Sequence, residues 1–352
     1  MRWSVIGPLE GRLTGQSYVT LKVVDILGSK KRLTYEINTN HEGSKPSKRI
    51  INTLFKYLYF LITLRVSGGY YISTKRGRIS AIVDFMYIIV ARAFTKKIIV
   101  HLHGNEIFQD ANIRKGAFDN FTFINLKLVD CVLCLNSYQS SELKKLGIKN
   151  VKILPNFTDL QIESESSMSL TNDRDIIKIT YLSNFQAQKG FIQYINLFES
   201  FPDIQFSLCG GFLSENSPER QIFNEQFTNS LPNVRYYGFV GKDQKQNILR
   251  NSHFIFFVST YPTEAQPLAL LEAMGLGCVP IVANRPYISD LVTKDNGVIL
   301  SADPDAEEIK SAICNLTIEK YIELSGNCKT LASSFTTTAF EANLLEIFDE
   351  FE

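Results

Sequence analysis

The residues with the most chemistry to offer are two carboxylates, a lysine and a histidine. Glu264 and Glu272 lie in TYPTEAQPLALLEAMGLGCVPIVAN (Thr260–Asn284), with seven residues between them. The first part of this stretch reads as a loop. Pro267 then suits the first turn of a helix, where a missing N–H costs nothing. Leu268, Leu270, Leu271 and Ala273 follow with no β-branched residue, Gly275 and Gly277 can end the helix, and VPIVA reads as a short buried strand. The free amides at the helix start, near Gln266–Ala269, suit an anion such as a diphosphate. A carboxylate beside that anion is better suited to accepting hydrogen bonds from sugar hydroxyls, because it repels phosphate.

Three other stretches carry compatible groups. Lys189 sits in SNFQAQKG, just after the strand IIKITYLSNF (Ile176–Phe185). KIIVHLHG runs from strand to loop and places His101 and His103 on one face by period two. Two histidines at that spacing suit a metal, but no third ligand is near in sequence. LEGRLTGQSYVTLKVVDIL puts Gly11 and Gly15 between a first strand (Trp3–Pro8) and a helix from about Ser17, where a glycine turn lets backbone approach a ligand. Its spacing is not that of the G-x-G-x-x-G dinucleotide fingerprint.

The string E-A-Q-P-L-x-x-L-E-A-M-x-x-G-C-V-P-I-V-A closely resembles the nucleotide-sugar signature of the family 4 retaining glycosyltransferases. That resemblance implies an α/β chain of GT-B fold: two Rossmann-like domains facing across a cleft, with a C-terminal helix crossing back to the first. It implies an acceptor-binding domain over 1–165, a nucleotide-sugar-binding domain over 166–334 and the returning helix over 335–352. In the family's terms Glu264 and His103 orient the transferred sugar, and Glu272 binds ribose hydroxyls. Lys189 holds phosphate, and Gly15, Gln16, Gln266, Pro267 and Leu268 complete the donor site. The chain departs from the pattern after VPIVAN, where Pro286, Tyr287 and Asp290 stand for the family's Gly-Gly and Glu, and in three further places. Asn184 stands where the family has Arg, Ser183 where it has Gly, and Phe157 where N-G-V-D has Gly. The donor expected is a UDP-sugar, with no cofactor, no metal and retention of configuration. The acceptor expected is a lipid-linked saccharide, of the kind used by bacterial surface-polysaccharide enzymes making O-antigen or capsule.

The elements that must position these residues alternate strand and helix twice along the chain, which argues for parallel sheets with crossover helices. In such sheets ligands bind beyond the carboxyl ends of the strands, and His103, Lys189 and Glu264 all follow strands. Ser137 is expected to cap the helix that starts there. The polar stretch 161–175 reads as the linker.

At 352 residues, with 45% hydrophobic and 21% charged residues, the chain is ordinary for a globular protein of two cores. The net charge of +1 conceals a split: 24 Lys+Arg against 11 Asp+Glu in residues 1–160, and the remaining 13 against 25 thereafter. The basic half is expected to meet something anionic. Helix Lys48–Arg65, which mixes aromatics with Lys48, Arg49 and Lys56, suits an anionic membrane surface. Arg114 and Lys115 are expected to line an acceptor site. Nucleic acid is disfavoured, because no binding motif accompanies the basic half. Cys131 and Cys134 form C-x-x-C inside a strand pattern and read as buried thiols of a reducing compartment. No leader opens the sequence and no apolar run approaches a membrane span. The localisation expected is therefore cytoplasmic, peripheral on the inner face of the membrane. Two alternatives stand beside the transferase: a sugar-nucleotide epimerase on the same fold, and a non-catalytic saccharide-binding scaffold.

Overall fold

A computed structural model describes residues 1–11, 14–40, 46–74, 78–109, 119–159, 176–226 and 231–352. The chain forms two units. The first comprises Met1–Asn156, Pro262–Gln266 and Thr338–Glu352, the second Phe157–Tyr261 and Pro267–Thr337.

The first unit is built on six parallel strands: β1 (Trp3–Gly7), β2 (Leu33–Asn38), β3 (Gly69–Ser73), β4 (Lys97–His101), β5 (Cys131–Cys134) and β6 (Val151–Ile153), in the order β2-β1-β3-β4-β5-β6. Every residue of WSVIG, GYYIS and CVLC is buried. Continuous apolar runs of this kind belong to parallel strands covered on both faces. The second unit repeats the plan with β7 (Lys178–Leu182), β8 (Gln205–Cys209), β9 (Val234–Gly238), β10 (Phe254–Phe257), β11 (Val279–Ala283) and β12 (Val298–Leu300), ordered β12-β11-β10-β7-β8-β9. All pairings are parallel. In each sheet the strand order reverses once, at β1/β3 in the first unit and at β7/β10 in the second.

Helices fill the crossovers. Helix Gly15–Ser29 opens with a capping box: Thr14 accepts from the Ser17 N–H and the Ser17 hydroxyl accepts from the Thr14 N–H at 2.7 Å. Such a box stabilises a helix by about 1 kcal/mol. Helix Ser137–Lys145 is capped by Asn136 rather than by Ser137, because the Asn136 side chain reaches the Gln139 N–H at 2.9 Å. Helix Leu268–Gly275 has Pro267 as its extended N-cap, one position earlier than expected. Between β7 and β8 the chain forms two short helices, Phe191–Ile195 and Leu197–Ser200. The C-terminal helix Thr337–Asp349 lies on the first unit. There Phe348 meets Trp3 edge-on at 4.5 Å, and Arg32 pairs with Asp349 at 2.6 Å and Lys30 with Glu341 at 3.0 Å.

Linker residues 161–175 lie outside the described residues, as does the expected domain boundary at 165/166. Cys131 and Cys134 are buried free thiols, and burial pushes the Cys131 thiol up to about 12. Among the described residues no helix is long and apolar enough to cross a membrane.

Candidate functional site

The second unit assembles one group of candidate residues at its strand-order reversal. Lys189 ends the single-turn helix Ala187–Lys189 after β7, and its ammonium lies 4.2 Å from the Tyr261 ring centre. Tyr261 follows β10, the sheet neighbour of β7. The two loops are stitched together, since the Thr260 N–H donates to the Gln188 carbonyl at 2.8 Å. Gly190 makes the approach possible. Its φ is +79°, and a Cβ there would lie 2.5 Å from the Val258 carbonyl oxygen. Only a residue without a side chain tolerates both demands. Asn184, in the position of the family's Arg, is partly buried, and its carbonyl accepts from the Tyr181 hydroxyl at 2.9 Å.

Glu272 projects from helix Leu268–Gly275 of the same unit. It is largely buried, with a side-chain exposure of 16%, and pairs with Lys245 at 2.5 Å. Burial raises its carboxyl above the ordinary glutamate range, and Lys245 works against that rise. Lys242, on the same helix as Lys245, pairs with Asp159 at 2.6 Å. The signature string alone does not disclose Lys245, which comes from a separate helix. The first N–H groups of Leu268–Gly275 stand at a helix start, with their positive dipole end outward.

Glu264 belongs with other partners. The segment Pro262–Gln266 is part of the first unit, although the sequence reads as one run through Glu272. Backbone and side-chain amides hold it there. The Asn105 N–H donates to the Thr263 carbonyl at 3.2 Å and the Asn105 side chain to the Glu264 carbonyl. Asn136 donates to the Ala265 carbonyl at 2.9 Å. Asn156 donates its N–H to Gln266 Oε1 at 2.6 Å and its side-chain amide to the Gln266 carbonyl at 2.8 Å. Gln266, expected as a donor-site residue, therefore has its side-chain oxygen engaged by Asn156. Gln139 joins the network through Asn105 Oδ1 and the Gly104 carbonyl, both at 3.0 Å. These amides lie 3 to 161 residues apart in sequence and carry no shared motif.

His103 follows β4 in the same unit, its ring centre 4.1 Å from that of His101. His101 is fully buried, and its Nδ1 and the Tyr71 hydroxyl are 2.6 Å apart. Burial, helped by the neighbouring His103, holds the His101 imidazole well below its ordinary range, so it is neutral at physiological pH. His101 thus acts as a fixed packing surface for His103. Among the described residues no group of three His, Cys, Asp or Glu side chains is arranged to hold a metal ion.

At the first unit's own strand-order reversal, Gly15 and Gln16 open the helix after β1. Gln16 Nε2 donates to the Ser73 hydroxyl at 3.0 Å and to the Thr74 carbonyl at 2.5 Å, both at the end of β3. Gly7 ends β1 where a Cβ would lie 2.8 Å from Thr20 Cγ2 and 2.9 Å from Ser73 Cβ.

The basic residues separate. Lys48 and Arg49 are exposed near the start of helix Pro46–Thr63. Lys56 instead donates to the Asn40 carbonyl at 3.0 Å, and burial lowers its pKa against the pull of Glu10. Arg114 and Lys115 lie outside the described residues. The outer face of helix Pro46–Thr63 is unusually apolar for a surface: Ile50, Leu54, Phe55 and Ile62 are 73, 60, 67 and 63% exposed.

Residues 163–331 match the family model described as glycosyl transferases group 1. The fold is similar to that of sucrose-phosphate synthase from Thermosynechococcus elongatus, with a TM-score of 0.75 and 13% identity over 99% of this chain and 98% of that one. It is also similar to HepE of Anabaena, solved in complex with UDP, with a TM-score of 0.71 and 15% identity over 99% of this chain and 100% of that one. The apo lipopolysaccharide outer core galactosyltransferase WaaB has a TM-score of 0.70 and 14% identity over the same shares. At these identities the likeness establishes the fold, GT-B. No curated sequence matches the chain.

Proposed function

We propose, from the match of residues 163–331 to the family model of glycosyl transferases group 1, that this glycosyltransferase is a retaining, metal-independent enzyme using a UDP-sugar. The observation that carries the reading is the second unit's reversal point, where Lys189 sits on Tyr261 and a left-handed glycine brings two strand-end loops together. Ligands of open parallel sheets bind at such points, and a lysine there suits a diphosphate.

The roles follow from charge. Lys189 and the first amides of helix Leu268–Gly275, around Pro267 and Leu268, neutralise the diphosphate as it leaves. The Gly15–Gln16 turn offers backbone donors to the same group. Glu272, oriented by Lys245, accepts from the ribose hydroxyls. Glu264 and His103 orient the transferred sugar, with His103 held against a neutral His101 and so placed to donate a hydrogen bond. In the reaction the bond from the anomeric carbon to the diphosphate oxygen breaks and the acceptor oxygen bonds to the same face. The acceptor proton passes to the departing diphosphate, which leaves as UDP.

The acceptor we propose is a lipid-linked saccharide of bacterial surface-polysaccharide assembly. Its support is the exposed apolar face of helix Pro46–Thr63 beside Lys48 and Arg49, which suits an anionic membrane surface. Flotation with vesicles containing anionic lipid tests this; protein that stays at the bottom of the gradient removes the membrane from the reading.

The donor reading is tested by calorimetric titration with UDP and a panel of UDP-sugars in the presence of chelator. Binding of UDP and of one UDP-sugar is expected. Binding that requires added magnesium, or none to any uridine nucleotide, overturns it.

A further inference from the structure

The segment Pro262–Gln266 of the first unit is neither helix nor strand. Its carbonyls therefore find no partners in a regular ladder, and a buried carbonyl left unpaired is costly. Four consecutive carbonyls are met by asparagines instead: Thr263 and Glu264 by Asn105, Ala265 by Asn136 and Gln266 by Asn156. We propose that one residue behind this row, Gln139, is a positioning residue that aims the Glu264 carboxylate. This assignment rests on the glycosyl-transfer reading only in making a sugar the partner of Glu264.

The case begins with amide polarity. A side-chain amide has a donor end and an acceptor end, and turning it over exchanges them. Gln139 is fully buried and cannot turn over. Its Oε1 accepts from the Leu135 N–H at 2.7 Å, while its Nε2 donates to the Gly104 carbonyl at 3.0 Å. Backbone groups at both ends fix its sense. Gln139 then occupies the acceptor ends of two asparagines. Its Nε2 donates to Asn105 Oδ1 at 3.0 Å, and its main-chain N–H donates to Asn136 Oδ1 at 2.9 Å. With their oxygens taken, Asn105 and Asn136 turn their NH₂ groups toward the carbonyls of Glu264 and Ala265.

The consequence falls on Glu264. Asn105 holds the peptide planes on both sides of the Glu264 Cα, one through its main-chain N–H to Thr263 and one through its side chain. The backbone has two soft dihedrals per residue, so holding both planes fixes the direction in which the side chain leaves the chain. Neutral amides suit this task. A lysine or arginine behind the same carbonyls would draw the Glu264 carboxylate toward itself. Gln139 touches none of the side chain it aims, so it acts only through Asn105 and Asn136.

The test compares Gln139→Met, Asn105→Ala and a control, Asn296→Ala. Asn296 is an equally buried amide of the second unit that accepts from the Thr293 N–H at 2.7 Å and donates to the Leu291 carbonyl at 3.1 Å. Two readouts are taken on the full chain. The first, without ligand, is the carbonyl ¹³C shift of Thr263, Glu264 and Ala265, which should move in Gln139→Met and Asn105→Ala and stay in the control. The second is calorimetric titration with UDP and with UDP-glucose, UDP-galactose and UDP-N-acetylglucosamine. For whichever sugar nucleotide binds, both segment variants should raise its Kd relative to that of UDP about threefold to tenfold, with UDP itself within about twofold, as loss of a sugar hydrogen bond requires. The control should leave the ratio unchanged. Unmoved carbonyl shifts overturn the proposal whatever binds. It is also overturned if UDP and sugar-nucleotide affinities fall together, or if the control changes the ratio as much, because a merely structural amide would act that way. Shifts that move as expected, in a protein that binds no uridine nucleotide, uphold the positioning of the segment and overturn the donor reading instead.

Discussion

Both units reverse their strand order beside their first strand, yet they equip that point differently. In the second unit the reversal carries a cation, Lys189, over an aromatic ring, beside a glycine forced into the left-handed region. In the first unit it carries neutral groups: Gln16 tied to Ser73 and Thr74, Thr20 bonded to Ser73 at 2.9 Å, and a glycine that only has to be small. The same topology therefore supplies charge in one case and hydrogen-bond scaffolding in the other. A reversal point specifies where a ligand can approach, while the side chains there specify what it is.

The strongest test of that contrast is to truncate both points. Lys189→Ala is expected to lower kcat/KM for the UDP-sugar by about 10²–10³, as loss of a group stabilising the leaving charge does. Gln16→Ala, which removes positioning bonds of about 1 kcal/mol, should cost only about fivefold. Equal losses in steady-state kinetics would erase the distinction between the two points.

Next in size is a backbone test. Gly190→Ala pays about 1–2 kcal/mol for its left-handed φ and also drives its methyl into a backbone carbonyl that cannot rotate away. Thermal unfolding should show a drop in Tm of at least roughly 2–8 °C. Gly7→Ala meets Thr20 Cγ2 and Ser73 Cβ instead, without a left-handed φ, so it should fall less. A reversed order in calorimetry would mean that the left-handed turn is not the tighter constraint.

The smallest effect expected is a pH shift peculiar to the second unit. Burial raises the Glu272 carboxyl above its ordinary 4.5 and Lys245 opposes this. Because the folded pKa exceeds the unfolded one, the folded protein takes up this proton first as pH falls, and the charged carboxylate is lost at a pH above 4.5. UDP affinity should therefore weaken on acidification before ordinary carboxylates titrate. Lys245→Met removes the opposing charge and should move the weakening to still higher pH. Titration of UDP at stepped pH checks the direction, and a shift to lower pH would contradict the assigned ion pair.

Local order along the chain was open to reading from sequence alone. Apolar runs such as WSVIG, CVLC and FIFF announce buried parallel strands, and VPIVA was legible to the residue as β11, Val279–Ala283. The strand-to-loop positions of Lys189 and His103 were legible for the same reason: period and punctuation are properties of neighbours in the chain. Errors of one or two residues came where a side chain chose between adjacent caps, as at Asn136 rather than Ser137.

Tertiary structure decided the rest, because it depends on which distant segments meet. Glu264 and Glu272 read as a pair eight positions apart, yet Asn105, Asn136 and Asn156 hold the segment of the first in one unit, while Lys245 claims the second in the other. Lys56 reads as one more surface cation, yet the end of β2 presents it with the Asn40 carbonyl. The amides behind Glu264 come from the loop after β4 (Asn105), from a helix (Gln139) and from the loop after β6 (Asn156). No spacing rule links those three residues. Strand order and helix docking bring them together, and these are settled by burial summed over the whole unit.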